Sequence, residues 1–322
     1  RLEARQSALA ADADAEALVL ATTTAYLDVT RQAGLVAALE EAVGVSEDRL
    51  RISAAEVRIG TAAEIDAAIA LSDLNADRSA LLRQRIALAA ARATLGGLLA
   101  LADPDAVTAA DPLALDPAPD VADLEAAAVA ANRRVQQFAV AEEAAAAVVA
   151  EVRSRYRPLV RASAGAGLSA VDTGFLPPSF APAVGPTVQY GLALSFPLFD
   201  RGERRRELSV ATIRVLQAEA ETADVAAGVR SDAARFAAAA RGYRSLAALE
   251  AQNERIARQN VRVALAQLQL GLITPIDLRL VQLSLVDVQT RLVEAVYQTR
   301  SAEAGLRALV GGLLPPAAAL AG

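Results

Sequence analysis

Asp66 and Asp277 are the ionisable residues placed most regularly in this sequence: each follows a glycine, Gly60 or Gly271, by six positions, about one turn into what reads as a helix start. A carboxylate there is favoured by the helix dipole, by under about 1 kcal/mol, and puts fixed negative charge beside a chain reversal. Neither aspartate has a partner in an opposed environment that would separate an acid from a base, so glycosidase-type chemistry is not indicated. The chain has no Cys, His, Met, Trp or Lys. Without Cys or His there is no thiol nucleophile, imidazole base, disulfide or ordinary zinc or copper site. Gly165 and Gly167 are too sparse for a nucleotide motif and read as strand glycines close to another backbone. No catalytic residue, cofactor or metal is expected, and the chain is not read as an enzyme.

The elements that must position those aspartates follow from composition. The 322 residues are 54% apolar but only 3% aromatic, with alanine dominant, which suits long, closely packed helices better than a bulky globular centre. The net charge is −6, carried against 32 scattered arginines, and leaves no footprint for nucleic acid. No uninterrupted apolar run of 18 residues exists, so any membrane crossing must use strands.

The sequence repeats. A shift of 211 residues lays Gly60 on Gly271, Ile65 and Asp66 on Ile276 and Asp277, Leu74 on Leu285, Leu81 on Leu292 and Leu95 on Leu306. Heptad spacing matches in both copies: Ala38, Val45, Ile52 and Ile59 before the first glycine, and Leu249, Ile256, Val263 and Leu270 before the second. Beyond the glycines come Ala67, Leu74, Leu81, Leu88 and Leu95, then Leu278, Leu285, Leu292, Thr299 and Leu306. These read as coiled-coil seams, and each copy as a helical hairpin that reverses at a glycine tolerating positive φ. The helix from about Arg204 to Leu270 would be roughly 100 Å long.

Between the copies the period changes. An Ala-rich helix runs from Asp123 to about Tyr156, and alternation then replaces heptads. In Thr187–Phe196, Val188, Tyr190, Leu192, Leu194 and Phe196 share one face, while small or polar residues share the other. That is the pattern of a transmembrane strand, apolar toward lipid. Its partner, Pro158 to about Ser169, alternates less cleanly. Aromatics at Phe196 and Phe199 and arginines at 201, 204, 205 and 206 follow, as at a membrane interface. A soluble amphipathic hairpin with a solvated basic turn is the other reading of this stretch.

The expected organisation is therefore a first-repeat helical hairpin at 1–101, a Pro-rich linker at 102–121 and a leading helix at 122–156. An outer-membrane β-hairpin at 157–199, a second-repeat helical hairpin at 200–314 and a tail at 315–322 complete it. Extending the repeat upstream places about 90 residues, including another hairpin, before Arg1. The sequence thus reads as an N-terminally truncated chain.

Three segments carry a family resemblance: Gly191-Leu-Ala-Leu-Ser-Phe-Pro-Leu-Phe-Asp200, Leu270-Gly-Leu-Ile-Thr-Pro-Ile-Asp277 and Ile59-Gly-Thr-Ala-Ala-Glu-Ile-Asp66. With the duplication, they make the chain resemble the TolC-like outer membrane efflux proteins of Gram-negative bacteria over nearly its whole length. The resemblance implies a mainly α fold of coiled-coil helical hairpins plus a transmembrane β-hairpin, assembled as a homotrimer. In the trimer a shared β-barrel, to which each protomer gives four strands, continues into a periplasmic α-barrel. This chain shows two strands, and six from three copies fall below the usual minimum of eight.

The resemblance further implies that Gly60, Thr61, Gly271, Leu272 and Thr274 form tips that face a periplasmic adaptor, and that Asp66 and Asp277 act at the entrance constriction. The family's second constriction aspartate is Leu280 here, and a basic residue often found near the second tip is Ile273, so the gate is expected to be either weaker or held more by apolar contact than by ion pairs. The implied function is a passive outer-membrane conduit of a tripartite efflux or type I secretion system, working with the adaptor, an inner-membrane transporter and outer-membrane lipid. A soluble periplasmic coiled-coil scaffold or adaptor is the alternative. The two differ in whether the face carrying Val188, Tyr190, Leu192, Leu194 and Phe196 meets lipid or is covered by protein.

Overall fold

The computed structural model describes residues 2–101, 103, 115, 119–171, 183–196 and 199–313. Its elements in order are α1 (Leu2–Ile59), α2 (Glu64–Leu98), α3 (Val121–Ala131), α4 (Arg133–Arg155), β1 (Leu159–Val171), β2 (Ala183–Ser195), α5 (Glu203–Gln269) and α6 (Pro275–Leu309). The fold is mainly helical with one two-stranded antiparallel sheet. Most of the expected Pro-rich linker and the 315–322 tail lie outside the described residues, as does the loop joining the strands. The chain divides into two compact units, one of Arg1–Gln6 with Phe138–Ala223, the other of Ser7–Gln137 with Asp224–Gly322.

In the second unit, α2 and α6 bury the heptads their sequences announce. Leu74, Leu81, Leu88 and Leu95 are buried on α2, and Leu278, Leu285, Thr299 and Leu306 on α6. Each buried leucine contributes about 2 kcal/mol of apolar transfer. Val29 of α1 packs on Leu88, Ala91 and Leu95, while Val45 and Ile52 of α1 pack against Ala264, Leu268 and Leu278.

The expected seam of α5 is not the buried one. Leu249, Ile256, Val263 and Leu270 are exposed, and burial falls on Ala247, Ala257, Val261, Ala264 and Leu268. Within one chain the largest apolar residues are not the buried stripe, because helices that approach closely bury alanine and leave larger side chains at the margin. The same correction applies at the end of α1, where Ile59 is exposed and the buried face runs through Ala38, Ala42, Ser46, Arg49 and Ser53.

The leading helix, expected to be continuous, breaks at Asn132, which takes an extended conformation. Its Oδ1 accepts from the backbone N–H of Arg134 (3.0 Å) and Val135 (3.1 Å), capping α4, and its Nδ2 donates to the Leu309 carbonyl at 3.0 Å. Asparagine competes well for exposed helix-start N–H groups, so one buried side chain both ends α3 and fastens the break to α6.

All four long helices close in the same way. At Gly60, Ala100, Gly271 and Gly311 the backbone turns left-handed, with φ of 81°, 52°, 70° and 68°. Paired reverse bonds satisfy the last carbonyls: Leu272 N–H donates to Gln267 and Gly271 N–H to Leu268, both at 2.9 Å, and the same pairing recurs at the other three ends.

Candidate functional site

Two regions carry the candidate residues, the helical tips and the β-hairpin. At the second tip, Thr274 caps α6. Its Oγ1 accepts from the Asp277 N–H at 3.2 Å, while Asp277 Oδ2 accepts from the Thr274 N–H at 2.9 Å and from its hydroxyl at 2.7 Å. The box is reciprocal, and Pro275 occupies the first helical turn. Those bonds, first the hydroxyl and then the backbone N–H of Thr274, hold the exposed Asp277 carboxyl below the usual aspartate range. The first tip is half as complete: Ala63 offers no side-chain acceptor, and only its N–H donates to Asp66 Oδ2, at 3.2 Å.

Gly60, Thr61, Gly271, Leu272 and Thr274 are all exposed. Around them, exposed Ile59, Ile65, Leu270, Leu272, Ile276 and Leu280 make an apolar rim. Between the tips lies a cleft of about 860 Å³ lined by Ile59, Asp66, Ile69, Leu270 and Ile276 and floored by Arg49 and Asp73. Asp66 lines this cleft. Asp277 does not, because its carboxylate is turned into the cap.

Arg49, Asp73 and Arg279 of the cleft lining belong to a polar network that sequence reasoning missed. Arg49, 1% exposed, donates to Asp73 Oδ2 at 2.6 Å. Arg279 makes a bidentate pair with Asp77, at 2.6 and 2.9 Å, which raises its own pKa. Gln282 Nε2 reaches the Ala42 carbonyl at 2.8 Å, Ser46 Oγ at 2.7 Å and Asp77 Oδ2 at 3.1 Å. Three helices, α1, α2 and α6, are thereby tied together just behind the tips. Buried pairs of this kind give little net stability, yet removing one partner strands a charge. A signal existed in the repeat: a shift of 211 lays Ser46 and Arg49 on Ala257 and Asn260, and Asp73 and Asp77 on Ser284 and Val288, so the network sits where the copies disagree.

In the hairpin, β1 and β2 pair in register from Leu159↔Ser195 to Val171↔Ala183. Directly opposed residues share a face. One face therefore carries Val160, Ala162, Ala164, Ala166 and Leu168 beside Leu194, Leu192, Tyr190 and Val188. The other carries Arg161, Ser163, Gly165 and Gly167 beside Ala193, Gly191, Gln189 and Thr187. The weak alternation of β1 is thus completed by its partner. The apolar face is open, with Tyr190 89% and Leu192 78% exposed. Phe196, expected at the end of that face, lies one residue beyond β2 and is half exposed.

At the hairpin base, Tyr156 donates to Glu207 at 3.0 Å and the Arg204 guanidinium lies over its ring, 5.4 Å from the centroid. Asp200 accepts from the Gly202 and Arg204 N–H groups, each at 3.0 Å, which lowers its pKa. These contacts fix how the strands leave α4 and enter α5.

Among the described residues no cluster of side chains suits a metal ion, and no helix is long and apolar enough to cross a membrane.

The model of a family described as outer membrane efflux protein matches residues 125–312. No curated protein sequence matches. Among solved structures, the outer membrane protein VceC from Vibrio cholerae superposes with a TM-score of 0.80 at 20% identity, over 97% of this chain and 74% of that one. The outer-membrane channel OprN gives 0.78 at 16% identity, over 97% and 70%. The open state of the MtrE outer membrane channel from Neisseria gonorrhoeae gives 0.75 at 18%, over 96% and 69%. At these identities the likeness is one of fold.

Proposed function

Because the chain belongs to the outer membrane efflux protein family, we propose that it is the outer-membrane channel of a tripartite efflux or type I secretion system. It is a passive conduit for small molecules or proteins across the periplasm and outer membrane. The register of β1 and β2 carries this reading: nine apolar side chains gather on one open face, and small or polar ones on the other. A soluble sheet would cover that face, whereas lipid requires it bare.

Three protomers close one barrel with four strands each, β1 and β2 being two of the four, since an open strand edge is not tolerated in lipid. Their helices form a tunnel on the periplasmic side. The exposed stripe of Leu249, Ile256 and Val263 on α5 packs against a neighbouring copy. Gly60, Thr61, Gly271, Leu272 and Thr274 meet an adaptor, and the inner-membrane transporter it joins supplies the energy. Asp66, Asp277 and Leu280 narrow the entrance, and opening is a repacking of the helices behind the tips, a two-state change of interface.

The absence of cysteine makes single-cysteine labelling unambiguous. In vesicles, a polarity-sensitive dye at Leu192→Cys is expected to emit blue-shifted light and be quenched from the lipid phase. The same dye at Ala193→Cys is expected to be quenched by aqueous iodide. Water-exposed signals from both positions would contradict a membrane hairpin.

A further inference from the structure

We infer that the base of the hairpin is a docking surface for the phosphates of anionic phospholipids in the periplasm-facing leaflet. This rests on the reading that β1 and β2 lie in the membrane. Residues 151–161 and 199–208, which flank the hairpin, hold eight arginines against four carboxylates in a chain of net charge −6. Three of those carboxylates are engaged locally: Glu151 pairs with Arg155 at 2.7 Å, Glu207 accepts from Tyr156, and Asp200 caps α5. Arg153, Arg157, Arg201, Arg205 and Arg206 are exposed and form no ion pair among the described residues. These exposed guanidinium groups are therefore open to an external anion. Arg161 belongs to the polar face of β1 and is left out.

The order of residue types points to lipid. Along the chain leaving β2, apolar Leu192 and Leu194 give way to exposed Phe196 and Phe199, and these to Arg201, Arg205 and Arg206. On the other side, counting back from Val160, come Arg157, Tyr156 and Arg153, an aromatic set among arginines. Hydrocarbon, aromatic belt and headgroup follow one another in this sequence at a bilayer edge. Guanidinium groups suit phosphate by their forked donors, and clusters of four to eight basic residues beside a membrane segment select anionic lipid.

The test uses the full chain in vesicles of phosphatidylethanolamine alone or mixed equally with phosphatidylglycerol, then extraction into mild detergent and native mass spectrometry of the lipid retained. Phosphatidylglycerol is expected to be kept in preference. That preference should fall about tenfold when Arg153, Arg157, Arg205 and Arg206 are all changed to Gln, and largely survive when all four are changed to Lys. Equal retention of the two lipids by the unaltered chain, which needs no variant to fold, would overturn the inference alone. So would an undiminished preference in the Gln variant, or displacement of the lipid by inorganic phosphate at matched concentration. A chain that enters neither vesicle would remove the membrane reading and this inference with it.

Discussion

Ala100 and Gly311 occupy equivalent places in the two repeats and take the same left-handed turn, φ 52° and 68°, but only one is glycine. A Cβ in that region costs about 1 kcal/mol. Ala100→Gly is therefore expected to raise stability by about 1 kcal/mol in chemical denaturation, and Gly271→Ala to lower it by about as much. Asp277 offers a second test. Its pKa is depressed in the folded chain by Thr274, so its contribution is full above the ordinary aspartate value and is lost as pH falls through the lowered one. In Thr274→Val, thermal stability is expected to depend less steeply on pH on that acid limb. The reversals at Gly60 and Gly271 were legible in the sequence because glycine is a local signal, whereas the Thr274–Asp277 cap, although local, reads there only as a helix-start carboxylate. Arg49, Asp73, Asp77 and Arg279 were not legible, because they come from three helices and meet only once those helices pack.

Helices α2 and α6 could be read directly, since their buried faces are lined by leucines at heptad spacing. The face of α5 could not, because its buried residues are mostly alanines lying beside larger ones, and size misled. The two helices therefore respond differently to truncation. Leu285→Ala, at a site 2% exposed, is expected to cost about 2–5 kcal/mol. Ile256→Ala, at a site 52% exposed, is expected to stay within about 0.5 kcal/mol in the isolated protomer while weakening association between copies; denaturation and native mass spectrometry separate the two effects. The strands were legible by alternation on β2 alone, and the pairing register was needed to see that β1 completes its face. The break at Asn132 was hidden in an alanine-rich run, where one capping side chain outweighs the helix propensity around it.

At the scale of the whole molecule, two strands with open edges call for further strands beside them, and an exposed apolar stripe on α5 calls for further copies of the chain. Native mass spectrometry is expected to find three chains in the detergent-extracted assembly. Behind the tips, the Arg49–Asp73 and Arg279–Asp77 pairs hold α1, α2 and α6 together, so Asp73→Asn, which leaves Arg49 buried without its counter-charge, is expected to loosen the entrance. The measurement that bears most directly on the channel is single-channel current across a planar bilayer holding the full chain. A trimeric conduit gated by its tips predicts a small, cation-favouring conductance that rises in Asp277→Ala. An inserted protein that passes no current in either form would contradict it.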